Sequence, residues 1–194
     1  LDKIFFEILN SNEKKIASFY LDPFSRPESK RGGAWMDECL NKNRDEKGEV
    51  VLPVAYLVCN QTPPSNGKPS LMSFDEVQTL FHEFGHGLQH MLTTVDLPQA
   101  AGINNVEWDA VELPSQFMEN WCFEKNTLLN IAKHWETGEK LPDEDYKKLC
   151  ENRTFNCGMA TLRQLHFAIT DLRLHSNKPE YQGQEPDQVR RDIA

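Results

Sequence analysis

The twenty residues from Ser73 to Leu92, SFDEVQTLFHEFGHGLQHML, constrain the fold more tightly than any other stretch of the chain. Ser73-Phe74-Asp75-Glu76 has the S-x-x-E pattern, in which a serine and a glutamate side chain reciprocally satisfy the free N–H groups of a helix start. Val77, Leu80, Phe81, Phe84, Leu88, Met91 and Leu92 follow at three- and four-residue steps, the period of an amphipathic helix. The pattern predicts a helix over residues 74–92. Within it, His82-Glu83-Phe84-Gly85-His86 satisfies H-E-x-x-H, a motif that has chemical meaning only on a helix.

Four residues make about one helical turn, so His82 and His86 project from one face and two imidazoles there can share one zinc ion. Glu83 sits about 100° round the helix, beside the ligands, where a carboxylate is placed to polarise metal-bound water. Gly85 and Gly87 each cost about 1 kcal/mol of helix stability relative to alanine. Close approach of another backbone or of a substrate is the usual compensation.

A catalytic zinc takes three protein ligands and keeps one position open. A third histidine in the longer H-E-x-x-H-x-x-G-x-x-H pattern is excluded, because Gln89 and Leu92 occupy the glycine and histidine positions. A carboxylate from the next helix is the other route, and Glu107-Trp108-Asp109-Ala110-Val111-Glu112 offers candidates. Glu112 is the preferred third ligand and His90, one turn past His86, its rival. Asp109 and Glu119, three before and seven after Glu112, are candidates to orient the ligands from behind.

The remaining pattern is mainly helical, with a small sheet near the start. Residues 16–22 read as a short strand, and 23–33 as a turn-rich stretch. Residues 50–59 are apolar and β-rich, with Pro53 marking an edge strand. Residues 98–105 read as a loop. A second helix is expected from Asp109 or Ala110 to about residue 132, with Pro114 forcing either a later start or a bend. Further helices are expected over 143–152 and 158–175, after a connector at 138–145 and before a polar loop at 177–187. Trp108, Phe117, Trp121 and Phe123 fall at helical spacing and read as core. His134, His166 and His175 carry no partner pattern.

Composition bounds the function. The net charge of −9, from 30 acidic and 21 basic residues, disfavours nucleic acid and anionic membrane as partners. No window nears the roughly 18 uninterrupted apolar residues of a membrane span. The five cysteines are odd in number, scattered and never in C-x-x-C, which fits reduced thiols in an intracellular compartment. Cys150 and Cys157 read as two buried positions on one helical face. The chain opens on Leu1, residues 1–15 lack the features of a signal peptide, and 189–194 break off within a helical pattern. It therefore reads as an internal piece of a longer protein. The cytoplasm is the expected compartment, with chloroplast or mitochondrion also open.

FHEFGHGLQH together with EWDAVELPSQFMENW resembles the thimet oligopeptidase and oligopeptidase A family of zinc endopeptidases, and is most similar to its plant oligopeptidase A-like branch. RGGAWMD (residues 31–37), LPVAYLVCNQTPP (52–64) and RQLHFAITDLRLH (163–175) share the resemblance, which runs over essentially the whole chain. It implies His82, His86 and Glu112 as ligands of one zinc ion per chain, which selects Glu112 over His90, and Glu83 as catalytic base. It further implies the zincin-type catalytic core of a two-lobed helical peptidase whose channel admits short unstructured peptides, acting as a monomer. The strand leading to residues 55–59 is expected beside the bound peptide. The family's N-terminal helical lobe and its later Gly/Tyr-rich loop with a preceding histidine have no counterpart here, so residues 1–194 correspond to part of a catalytic domain. Two rivals stand beside hydrolysis: a non-catalytic peptide-binding module, which has no need of Glu83, and a structural zinc site, which is usually closed by four ligands.

Overall fold

The computed structural model describes residues 3–176 and 178–193, which form two compact units, Leu1–Leu141 and Pro142–Ala194. The first unit opens with strands β1 (Ile4–Leu9), β2 (Lys15–Phe24), β3 (Trp35–Leu40), β4 (Asn43–Arg44), β5 (Val50–Val51) and β6 (Val54–Gln61). It continues with helices α1 (Phe74–Met91), α2 (Leu113–Glu119) and α3 (Lys125–Ile131). The second unit holds α4 (Asp143–Asn152), α5 (Cys157–His175) and α6 (Pro186–Arg191). The elements are helices and, in the first unit, a small mixed sheet.

The sheet has the order β1-β2-β6-β3, with β2 and β6 parallel and the two outer pairs antiparallel. Alternation decides its faces. Ala17 and Phe19 on β2 and Ala55 and Leu57 on β6 point to one side and meet Met91 of α1, with Leu21, Met36 and Phe84 packed around them. Tyr20 and Tyr56, paired in register, point to the other side and stay partly exposed. Each large side chain buried under α1 contributes about 1.5–3 kcal/mol.

Helix α1 has the predicted start and an end one residue short of the prediction. Ser73 Oγ accepts from the Glu76 amide at 3.2 Å, and Glu76 Oε2 accepts from the Ser73 amide at 2.7 Å. Glu76 Oε1 also takes the Thr62 amide at 2.9 Å, tying the helix start to the exit of β6. No helix among the described residues is long and apolar enough to cross a membrane.

Five expectations need correction. The strand carrying residues 55–59 is internal, paired with β2 on one side and β3 on the other. Pro53 is compatible with that because it lies one residue before β6 and contributes its carbonyl, which accepts from Ser18 N. The expected helix from 109 or 110 to 132 is broken into α2, a 3₁₀ turn at Asn120–Phe123, and α3. Pro114 sits in the first turn of α2, and Glu124 caps α3 by accepting from the amides of Asn126 and Thr127, a local bond that competes with a continuous helix. Trp108, Phe117 and Trp121 are exposed rather than core. Cys150 and Cys157 lie on different helices, half-buried and exposed respectively. The polar loop expected at 177–187 contains a 3₁₀ turn at Pro179–Tyr181 and the start of α6; its first residue, Asn177, lies outside the described residues.

One ion cluster pins the end of β2 to β6. Arg26 grips both carboxylate oxygens of Asp22 at 2.8 and 2.7 Å. The nearly buried Lys30 donates to Asp22 Oδ1, to the carbonyls of Asp22 and Phe24, and to that of Cys59. The Arg26 guanidinium, with Lys30 beside it, holds the Asp22 carboxyl at about 2, below its usual 3.8. A carboxyl lowered in the folded state stabilises above its unfolded value, and that stabilisation is lost as pH falls from about 4 through 2. Asp22→Asn is expected to cost about 2 kcal/mol at pH 7, discounted for residual solvent screening. The gap from wild type should close as pH falls toward 2, as read by urea denaturation across that range. A gap independent of pH would contradict the assignment.

Candidate metal centre

Helix α1 carries His82 and His86 on adjacent turns, their rings edge-to-face with centroids 5.0 Å apart. Glu112, the residue that opens α2, meets them from the facing element: its Oε2 lies 3.2 Å from His82 Nε2 and 3.2 Å from His86 Nε2. One ligand atom from each of the three falls within 4.8 Å of the other two. Ligands at about 2.0–2.1 Å around a tetrahedral zinc stand about 3.3 Å from one another, so the three ligand atoms fit that ion in number and type, and the two nitrogen–oxygen spacings fit it in distance.

The surroundings prepare each ligand for the role. His82 Nδ1 faces Glu119 Oε1 at 2.7 Å, and Gln78 Nε2 donates to Glu119 Oε2 at 2.6 Å. A carboxylate on Nδ1 assigns the ring proton there and turns the lone pair of Nε2 toward the centre. Burial lowers the pKa of His86, against the pull of Glu112, and so favours the neutral, ligating imidazole. The fully buried Ser115 donates to Glu112 Oε2 at 2.7 Å, which lowers that carboxyl and keeps it ionised.

Glu83 is in a different setting. It is 6% exposed, and its Oε2 has no hydrogen-bond partner among the described residues. Burial pushes its carboxyl up to about 6, with His82 pulling down and the charge of Glu112 adding to the rise. A carboxyl near neutrality is suited to accept a proton and release it again.

The two glycines of the motif explain how the elements reach one another. A Cβ on Gly85 would lie 2.6 Å from the Pro114 carbonyl oxygen and 2.6 Å from Ser115 Cα. The backbones of α1 and α2 therefore touch there, within three residues of Glu112. A Cβ on Gly87 would lie 3.0 Å from the Leu57 side chain, so this glycine seats the helix on the sheet.

Of the sequence-predicted site residues, His82, Glu83, His86 and Glu112 come together, and Glu119 stands behind His82. Asp109 is exposed and makes no bond to either histidine among the described residues. His90 is fully buried elsewhere: its Nε2 faces the Leu40 carbonyl at 3.0 Å, and its ring is pressed against Gly102. It fastens α1 to the end of β3 and to the loop before α2. Ser115 and Gln78 were not singled out from sequence. The only available signal for them was spacing: serine three residues after Glu112, glutamine four before His82.

Residues 2–193 match the sequence profile of Peptidase family M3. The chain belongs to that family. It is 61% identical over 178 residues to the organellar oligopeptidase A, chloroplastic/mitochondrial, of Arabidopsis thaliana, covering 90% of this chain and 22% of the relative. It is 59% identical to the probable cytosolic oligopeptidase A of the same plant, again over 90% of this chain, and 25% of that relative. Oligopeptidase A of Escherichia coli (strain K12) is 52% identical over 182 residues, 94% of this chain and 27% of the relative. The chain thus spans about a quarter of the length of these curated relatives. Family M3 is a zinc metallopeptidase family, and the His82–His86–Glu112 cluster of this member is one that could hold the metal.

Three variants have expected outcomes in metal titration against a competing chelator. Gly85→Ala forces a Cβ into the backbone of α2, and should weaken metal binding at least tenfold and lower stability by about 1–3 kcal/mol. Gly87→Ala meets only the side chains of Leu57 and Met91, not backbone, and should do much less. Glu119→Ala should weaken metal binding by about 10–100-fold. Unchanged affinity in Gly85→Ala would mean that the α1–α2 contact does not set the ligand spacing.

Proposed function

We propose that this chain is the zinc-holding catalytic segment of an endopeptidase that hydrolyses short, unstructured peptides. The observation that carries the reading is the convergence of both histidine Nε2 atoms on one Glu112 oxygen at 3.2 Å, with the buried Glu83 beside them, its Oε2 without a partner among the described residues. His82, His86 and Glu112 hold the ion, one per chain. Zinc bound there supplies a Lewis acid that acidifies water and polarises a carbonyl.

The chain's own residues do the rest. Glu83 takes a proton from the attacking water and delivers it to the nitrogen of the departing amine, a cycle served by a carboxyl raised toward 6. Glu119 and Gln78 hold His82 in its ligating orientation. Strand β3 is the outer strand of the sheet on this side, and Ala34, Trp35 and Met36 at its start line one cleft with His82, Glu83, His86 and Glu112. An extended peptide adds to that edge, which pairs with no further strand among the described residues, and passes its backbone across the centre. The internal strand β6, first expected in that role, instead pairs with the opposite edge of β3.

Three ligands and a base make an open site, which favours turnover over a structural zinc or a passive peptide-binding module. The acidic net charge supports a reading without nucleic-acid or membrane partners, and we take the working unit to be a monomer. The plant relatives named for the cytosol and for organelles support an intracellular setting, in either compartment.

In the full-length protein, Glu83→Gln should keep about one zinc per chain and lose about 10²–10⁴-fold in cleavage of a quenched fluorescent peptide. His82→Ala and Glu112→Ala should lose the metal and the activity together. Full turnover by Glu83→Gln would remove Glu83 as base. Peptide binding without cleavage by the zinc-loaded wild type would establish the binding-module reading instead.

A further inference from the structure

We propose that Ser115 is a positioning residue of the metal centre: its hydroxyl fixes Oε2 of Glu112 as the one oxygen offered to the ion and keeps Oε1 out of the ligand set. The inference rests on the reading of His82, His86 and Glu112 as the metal ligands, and goes beyond it to what holds the carboxylate in place. Each ligand needs such a hold. The ring of His82 has Glu119 behind it at 2.7 Å. Glu112 hangs from a side chain that is among those with the most rotamer freedom to lose on being fixed. Among the described residues, the polar groups that meet its carboxylate are the two histidines and Ser115.

Ser115 is itself held in place. It is fully buried, and its Cα lies 2.6 Å from where a Cβ on Gly85 would stand. It therefore sits where the backbones of α1 and α2 touch, against the residue that precedes His86. Its Oγ lies 2.7 Å from Glu112 Oε2 and 3.0 Å from the Glu112 carbonyl oxygen. A hydroxyl has one proton to give. The carbonyl already accepts from the Gln116 amide at 3.0 Å, and a carboxylate draws the shorter, charge-assisted bond, so the proton goes to Oε2. Glu112 stands just before the first turn of α2, where a side chain ordinarily caps the helix, yet it makes no such bond. Pro114 has no amide to offer there, and the Ser115 hydroxyl holds the carboxylate instead. Oε2 is also the oxygen that both histidine Nε2 atoms approach at 3.2 Å. An ionised carboxylate oxygen has two lone-pair sites. Ser115 takes one, and the other is left for the space between the histidines.

The test is a double-mutant cycle on zinc affinity in the full-length protein, read by titration against a competing chelator. Ser115→Ala should bind zinc about 10–100-fold more weakly than wild type. In a Glu112→Ala background only the weak residual affinity of the two histidines is left. Adding Ser115→Ala there should change it by less than about twofold, because the hydroxyl acts through the carboxylate that it holds. A merely structural role at the α1–α2 contact would displace the histidines as well, and would weaken that residual binding to the same degree. With cobalt(II) in place of zinc, the visible absorption bands report ligand number and geometry. Ser115→Ala should alter them, as Oε1 or water joins the ligand set. Urea denaturation of the metal-free variants separates these effects from misfolding. Unchanged zinc affinity or an unchanged cobalt spectrum in Ser115→Ala, or an equal loss in both backgrounds, would overturn the proposal and leave the three-ligand reading in place. A wild type that binds no zinc would overturn that reading, and the proposal with it.

Discussion

The backbone of α1 touches the backbone of α2 at Gly85, against the Pro114 carbonyl and Ser115 Cα, and the candidate metal centre depends on that touch. Two histidines on one helix supply only half of a zinc site. The third ligand must come from another element, and a carboxylate reaches only a few ångströms from its Cα. Any side chain larger than hydrogen at position 85 would push α2 outward and take Glu112 with it. One turn further along, Gly87 lets α1 settle on Leu57 of the central strand. Strands β2 and β6 bury Ala17, Phe19, Ala55 and Leu57 beneath the helix, giving the motif a rigid floor. The cost of two glycines in one helix, about 1 kcal/mol each, is offset by the packing that they permit.

Four glutamates within this frame have the same chemistry and different tasks, because their surroundings differ. Glu76 saturates its oxygens with backbone amides and starts the helix. Glu112 is held ionised by Ser115 and points at the two histidines. Glu119 accepts from Gln78 and fixes the orientation of His82. Glu83 alone is buried with an oxygen that has no partner among the described residues, and burial raises its carboxyl whereas those of Glu76 and Glu112 are lowered. A carboxylate that is fully hydrogen-bonded holds its proton off. One that is desolvated and uncommitted can pick a proton up and put it down.

Much of this site was legible in the sequence because its signals are local. The capping box, the apolar period and H-E-x-x-H all lie within twenty residues, and Glu112 stood out among a few carboxylates at the head of the next element. The glycines announced a close approach of some backbone, but not that the partner was Pro114. Features set by pairing between distant segments were not legible. β6 is central because β2 lies parallel to it from more than thirty residues earlier, and Pro53 pointed to the wrong place in the sheet. β3 was missed because WMDECL lacks a clean alternation of apolar and polar residues, and its burial in the sheet does not alternate either. Trp108 was placed in the core by a helical period, yet its backbone forms successive turns, where a period of 3.6 says nothing about which way a side chain points.

The central claim is that His82, His86 and Glu112 together hold one zinc ion. Anomalous diffraction at the zinc edge from crystals of the full-length protein tests it most directly. The account predicts a single strong peak between α1 and the start of α2, with two nitrogens and one oxygen at about 2.0–2.1 Å. A peak ligated by His90 or by a cysteine, or an ion bound without Glu112, would contradict it.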